Sequence, residues 1–376
     1  MLTLTFVAHE VHRRGGQERA AAEVLTRLAR DHDVRVSVVA RSCELPGVDV
    51  RFVPVRVPAR PAILRTMMFA RAAAAAARRE GSQLVQSIGA AAPEADIITA
   101  QFCQAAFTAR YGGLRGGGGS AWRAAWQRTV QRGFVAAERR AYGASRLRRV
   151  IAVSSGVARE LREHYRVPED VIRVIPNGVD HAVFHPVSDA ERRALRLRFR
   201  LPVDACIALF LGGDWERKGL RDAIEAVAGV SDVVLVVVGR GDEGAMRTHA
   251  TRLGAAGQVT FAGPSAEPQL WYQAADFLLF PSRYEAFSLV TLEAAATGLP
   301  IIAHAINGTE DLILPRENGI LSEWGSEALR SHVVTLRDDL ALRERMRKGA
   351  VVISRRYAWH EIAAAHHAVL VEAARG

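Results

Sequence analysis

The chain opens on an apolar run, Leu2-Thr-Leu-Thr-Phe-Val-Ala8, followed by a glycine pair, Gly15-Gly16, and a helical pattern reaching Arg30. Short apolar runs recur at 34–40, 84–88, 96–99 and 150–153, separated by stretches with helical spacing. Such alternation predicts a parallel sheet wrapped by helices. A linker-like stretch, Phe184-His-Pro-Val-Ser-Asp189, interrupts it, and then the alternation restarts. Strands are predicted at 206–211, 233–238, 259–261, 277–280 and 301–303, with helices from Lys218, up to Leu253 and over 289–297. The pattern therefore predicts an α/β protein with two doubly wound domains in tandem, divided at 186/187. In open sheets of this kind ligands sit beyond the carboxyl ends of the strands. Two such domains facing each other across a cleft would share one site.

Composition narrows the class. A chain of 376 residues with 49% apolar and 24% charged residues has room for two cores and is not a disordered polymer. No apolar run approaches the roughly 18–20 residues that span a bilayer. The first residues lack the basic and apolar regions of a secretion signal, so a cytoplasmic protein is expected. Cys43, Cys103 and Cys206 are widely spaced and fit no zinc pattern, which predicts reduced thiols and no metal site.

The formal net charge is +10, and its position matters more than its size. Between residues 101 and 150 stand ten arginines and one acid, Glu138, so this window alone carries +9. A concentrated basic patch attracts polyanions. No helix-turn-helix, finger or RNP pattern accompanies it, so nucleic acid is not the expected partner. The same window spaces Trp122, Trp126, Val130 and Phe134 four apart, with Arg128, Arg132 and Arg139 on another side of the helix. Two readings follow. One is a helix packing its aromatic stripe on its own domain; the other is peripheral contact with an anionic membrane at its inner face. The preceding Tyr111-GGLRGGGG-Ser120 has six glycines in eight residues and reads as a mobile loop.

Chemistry concentrates in the second half. In Pro281-SRYEAFSLVTLEAAATGLP-Ile301, Glu285 ends a loop after a strand and Glu293 lies eight residues on, inside the next helix. A carboxylate has about four lone-pair sites and suits vicinal hydroxyls. Between the two acids, the amides of Phe287, Ser288 and Leu289 open a helix and offer an anion site. In Leu211-GGDWERKG-Leu220, Arg217 and Lys218 point two cations at the same end of the sheet and could neutralise a diphosphate. Gly15 and Gly16 allow backbone to approach a phosphate. His9, in the first loop, is a candidate for the acceptor side. Three other signals are set aside. Gly239-RGDE-Gly244 matches GxGxxG, but Asp242 and Glu243 would stand where a pyrophosphate must sit, which argues against NAD. Asp31-His-Asp33 and Asp338-Asp339 read as loop and helix-end surface.

Taken together, Gly15 to Glu18 as GG-x-E, the RKG cluster, Ile175-PNGVD-Asp180, the E-x7-E motif and Gly298 to Pro300 resemble family 4 retaining glycosyltransferases of the GT-B fold. The resemblance runs over almost the whole chain in the right order. The spacing in GGDWERKG and the alanine at 286 look closest to bacterial lipopolysaccharide-core glucosyltransferases. It implies two Rossmann-like domains. Residues 1–186 would form the acceptor side with a crossover helix at 357–376, and 187–356 would bind a nucleotide sugar, with UDP the expected carrier. In that family the positions of Arg217 and Lys218 hold the diphosphate, Glu293 the ribose and Glu285 the donor sugar. The acceptor attacks from the leaving-group face and a donor phosphate oxygen takes its proton, with no metal and no further cofactor.

The implied acceptor is a glycan or glycolipid of the cell envelope. Many relatives carry a histidine near the donor sugar; here the stretch reads Ala100-Gln-Phe-Cys-Gln104, which offers Gln101 or Cys103. The frequent EGFG becomes Glu285-Ala-Phe-Ser288, and the paired glycine becomes Asn307-Gly308. The alternatives are a nucleotide-sugar epimerase of the same fold, or a non-catalytic nucleotide-binding module that docks on membranes.

Overall fold

A computed structural model describes residues 1–58, 62–111 and 121–375, with side chains described outside 62–63 and 121–125. The glycine-rich stretch 112–120 and the side chains of Trp122 and Arg123 therefore lie outside the described residues. The chain divides into two compact units, Met1–Asn177 with Trp359–Gly376, and Gly178–Ala358. The first crossing falls at 177/178, within the PNGVD segment and ahead of the linker-like stretch.

Beside a two-stranded sheet of Glu10–Val11 and Ser42–Cys43, the first unit holds a main sheet of seven parallel strands. In spatial order they are Val50–Pro54, Val34–Ala40, Leu2–Val7, Leu84–Ile88, Ile97–Ala100, Arg149–Ala152 and Ile172–Val174. The order reverses between Leu2–Val7 and Leu84–Ile88, and the loop carrying His9, Gly15 and Gly16 leaves the first of these. Central strands such as Ile97–Ala100 are buried at every position, as in a sheet covered on both faces. The helix Gln17–Asp31 buries Leu25 and Leu28, and packs along Trp359–Arg375, which buries Ile362 and Leu370. Arg149 and Arg173 both donate to Glu372 Oε1, at 2.9 and 2.5 Å, and tie that last helix to two strands.

In the second unit six parallel strands run Val259–Gly263, Val233–Val238, Cys206–Leu211, Phe277–Phe280, Ile301–His304 and Gly319–Ser322. The order reverses between Cys206–Leu211 and Phe277–Phe280. One core of Phe210, Leu220, Ile224, Leu235, Phe277 and Val333 joins the sheet to the helices Leu220–Val227 and Ser326–Asp338.

Three strands of the main sheets escaped the sequence pattern, Val50–Pro54, Ile172–Val174 and Gly319–Ser322, as did both short strands of the two-stranded sheet. All three are sheet edges. An edge strand is half-covered and short, so it needs no continuous apolar run; Val50–Pro54 has no buried residue and ends on proline.

The helix Ala121–Tyr142 corrects the aromatic-stripe reading. Trp126 is 45% exposed and Phe134 only partly buried, while among the described side chains of this helix the buried ones are Gln131, Glu138, Ala141 and Tyr142. The packed face is thus turned from the one the four-residue spacing selected, because the apolar contact is made by Ala141 and Tyr142 and anchored by a buried acid. Glu138 Oε2 accepts from the Gln104 amide at 3.0 Å and from the Tyr165 hydroxyl at 2.6 Å. Burial pushes its pKa up to about 7, against the lowering effect of those two hydrogen bonds. No helix among the described residues is long and apolar enough to cross a membrane.

Candidate functional site

Two loops leave the strands on either side of the second sheet's reversal, 212–219 after Cys206–Leu211 and 281–288 after Phe277–Phe280. Gly219 fits them together. It has φ +75°, precedes the helix Leu220–Val227, and a β-carbon there would stand 2.2 Å from the Pro281 carbonyl oxygen. Arg217 and Lys218 therefore belong to the turn before the helix rather than to the helix that the sequence pattern began at Lys218. The Arg283 amide donates to the Arg217 carbonyl at 2.9 Å and closes the pair of loops.

The two loops build a charged cluster. Glu285 Oε1 accepts from Arg217 Nη1 at 2.9 Å, Lys218 Nζ at 3.1 Å and Ser282 Oγ at 3.1 Å. Arg217 also donates through Nε to Asp214 at 2.8 Å and through Nη1 to the Tyr284 carbonyl at 2.6 Å. Lys218 Nζ lies 4.8 Å from the centre of the Phe280 ring. Burial alone would raise the Glu285 pKa, but Lys218 and then Arg217 hold it below the usual carboxylate range. Burial opposes the Arg217 charge, and Glu285 with Asp214 raises its pKa all the same.

The sequence pattern does not contain this contact between Glu285 and the two cations. In the structure one carboxylate oxygen orients both cations. Among the described residues Glu285 Oε2, Arg217 Nη2 and two of the three Lys218 protons have no protein partner. The cluster is thus fixed from one side and open on the other.

Immediately after it, Ser288 precedes the helix Leu289–Ala296, and its side chain makes no cap bond. Phe287 and Ser288 lead into this helix start, and the positive end of its backbone dipole faces the same side as the loop. Glu293 stands in the second turn, 4% exposed, and its Oε2 accepts from the Tyr272 hydroxyl at 2.9 Å. Arg217, Lys218, Glu285, Phe287, Ser288, Leu289 and Glu293 therefore all lie in the second unit, on the two loops and the one helix.

The remaining candidates belong to the first unit. The His9 ring lies tilted against Phe69 with centroids 4.3 Å apart, and burial followed by the charges of Arg41 and Arg65 lowers its pKa. Gly15 and Gly16 are exposed at the start of Gln17–Asp31. Gln101 donates to Asn177 Oδ1 at 3.0 Å. Cys103 is fully buried, and burial pushes its thiol up to about 12; it presents no surface to a ligand.

Sequence reasoning did not single out Asp214, Ser282 or Tyr272. Asp214 had a local signal, three residues before Arg217, but Tyr272 meets Glu293 across 21 residues with no motif linking them. The GxGxxG match has a packing explanation. A β-carbon on Gly239 would stand 2.1 Å from the Gly212 carbonyl oxygen, and one on Gly241 would strike the Trp215 ring. Both glycines let the segment lie against the 212–219 loop.

Comparison with known proteins gives two family matches. Residues 14–183 match "Glycosyltransferase Family 4" and residues 205–339 match "Glycosyl transferases group 1". A D-inositol 3-phosphate glycosyltransferase of Thermomonospora curvata is 35% identical over 231 residues, which is 56% of this chain and 54% of that protein. One of Acidothermus cellulolyticus is 33% identical over 218 residues, 54% of this chain and 48% of that protein. The chain thus spans about half the length of these curated relatives.

Among solved structures, WaaG, a glycosyltransferase involved in lipopolysaccharide biosynthesis, superposes with a TM-score of 0.81 at 20% identity, covering 98% of this chain and 99% of that one. Anabaena HepE in complex with UDP-glucose gives 0.76 at 18% identity, covering 99% and 100%. At such identities the likeness concerns the fold.

Proposed function

This chain belongs to the family 4 glycosyltransferases and has the GT-B fold, and from that premise we propose that it transfers a hexose from UDP-hexose to an anionic glycan or glycolipid acceptor with retention of configuration. One observation carries the reading. Arg217 and Lys218 are oriented by one shared carboxylate oxygen, on loops that also lead into the N-terminus of the helix carrying Glu293.

A nucleoside diphosphate placed there would put its phosphates against Arg217, Lys218 and the amides of 287–289, its ribose against Glu293, and its sugar against Glu285 Oε2. The anomeric carbon–oxygen bond breaks, and the diphosphate leaves with the electron pair. The acceptor oxygen bonds to the same face, and its proton passes to a donor phosphate oxygen. Atoms and charge balance without a side-chain base. The two cations stabilise the charge that develops on the leaving oxygen, an effect commonly worth several kcal/mol. UDP as carrier is supported by the HepE complex, and a phosphorylated acceptor by the curated relatives' names and the basic 101–150 segment. The same segment supports peripheral contact with an anionic membrane. No metal takes part in this scheme.

Two measurements test it. Thermal stability with UDP, GDP, ADP and dTDP, with and without EDTA, should rise for UDP and be unchanged by the chelator; about 100 times the Kd adds roughly 2.7 kcal/mol. Lys218→Ala should lower turnover about a hundredfold with the fold retained. Stabilisation by no nucleotide, or near-normal turnover in the folded variant, would overturn the proposal.

A further inference from the structure

Glu293 and Tyr272 form a pair that the sequence motifs do not contain. Tyr272 lies in the helix Pro268–Ala274, is fully buried, and packs edge-on against Phe184 at 5.9 Å and 71°. Its hydroxyl donates to Glu293 Oε2 at 2.9 Å, and both residues sit in the second unit. The last torsion of a glutamate is broad and weakly two-fold, so an isolated carboxylate does not hold its plane. A hydrogen bond from a fully buried ring packed against Phe184 does hold it. A carboxylate has about four lone-pair sites, so a bond from the tyrosine leaves it able to accept ligand hydroxyls as well. A vicinal diol needs both oxygens presented in one fixed plane, as the two hydroxyls of a ribose lie side by side.

We infer that Tyr272 is a positioning residue for sugar-ring recognition in the nucleotide: it fixes the plane of the Glu293 carboxylate, and so makes the chain select ribonucleoside over 2′-deoxyribonucleoside diphosphates. The inference rests on the proposed reading of Glu293 as the ribose ligand. Tyr272 itself touches no substrate; it acts through the carboxylate.

The test is a set of dissociation constants for three pairs, UDP and 2′-deoxy-UDP, GDP and 2′-deoxy-GDP, ADP and 2′-deoxy-ADP, on wild type, Tyr272→Phe and Glu293→Gln. A site that hydrogen-bonds a hydroxyl rejects the analogue lacking it, so wild type should prefer the ribo form by about tenfold or more. Glu293→Gln should abolish the preference. Tyr272→Phe should cut it at least about threefold through weaker ribo binding, with deoxy binding little changed. A merely structural role would weaken both forms equally and leave the ratio intact, and that result overturns the inference.

A preference lost in Glu293→Gln but untouched in Tyr272→Phe also overturns the inference while sparing the ribose reading. A preference that survives Glu293→Gln, is absent from wild type, or cannot arise because no nucleotide binds overturns the ribose reading and the inference with it. If Tyr272→Phe does not fold, Phe184→Leu loosens the ring without removing the hydroxyl and should narrow the same ratio; an unchanged ratio there counts against the inference.

Discussion

A missing β-carbon at Gly219 sets where both cations of the site stand. With φ +75° and a backbone oxygen 2.2 Å from the would-be β-carbon, the position suffers twice from any side chain: the left-handed backbone is strained, and the carbonyl of Pro281 cannot swing away as a flexible side chain would. Gly219→Ala should therefore cost about 2–4 kcal/mol and lower the melting temperature by about 5–15 °C. Calorimetry on the purified variant checks this, and an unchanged melting temperature would show that the loops can part without cost. The glycine was legible in the sequence as part of RKG. Its reason was not, because Pro281 is 62 residues away and meets it only once two strands lie side by side. The same distance hid the shared oxygen of Glu285. The acid and the two cations could each be picked out, but their mutual bonding is a property of the sheet order. Ser282, hidden behind them, has no sequence signal of its own.

Among the elements, the helix Ala121–Tyr142 is held by an acid where apolar residues were expected to hold it. Glu138 caps the start of the helix Gln104–Tyr111 from the side, through the Gln104 amide, and takes the Tyr165 hydroxyl as well. Its neighbours Cys103, Tyr142, Tyr165 and Glu160 supply no positive charge to offset its burial. With a folded pKa of about 7 against an unfolded value of 4.5, the folded state keeps a proton that the unfolded chain releases between those values. Stability is thus fully present below pH 4.5 and lost as pH rises towards 7, by up to about 3 kcal/mol.

Glu138→Gln removes this slope. Denaturant titrations of both proteins between pH 4.5 and 7.5 should show the variant gaining on wild type as pH rises; a difference that does not change with pH would refute the assignment. The charge of this segment was readable, since arginines count themselves. Its orientation was not, because four-residue spacing describes a stripe without saying which neighbour covers it, and a buried glutamate breaks the rule that buried positions are apolar. The edge strands were missed for a related reason: the pattern detects burial on both faces, and edges lack it.

On the scale of the whole molecule, the charge is strongly uneven. Trp126 is 45% exposed, and Arg128, Arg132 and Arg139 are exposed along the same helix. Sedimentation with phosphatidylglycerol vesicles should therefore be strong at low salt and fall as the Debye length shrinks from about 10 Å at 0.1 M to about 3 Å at 1 M. Phosphatidylcholine vesicles should not bring the protein down. Binding that ignores salt, or none at all, would confine the arginines to ordinary solvation.

The division into units has a consequence of another kind. The second unit is a single unbroken segment, but the first is closed only by Trp359–Arg375, which packs on Gln17–Asp31. During synthesis, the face of Gln17–Asp31 that buries Leu25 and Leu28 is made hundreds of residues before its partner. At about 5–20 residues per second that interval is tens of seconds. By its end the second unit has all its strands, while the first still waits with an apolar stripe uncovered. The nascent chain thus finishes in reverse order, and the ribosome-bound stage is when this protein most needs a chaperone's shelter.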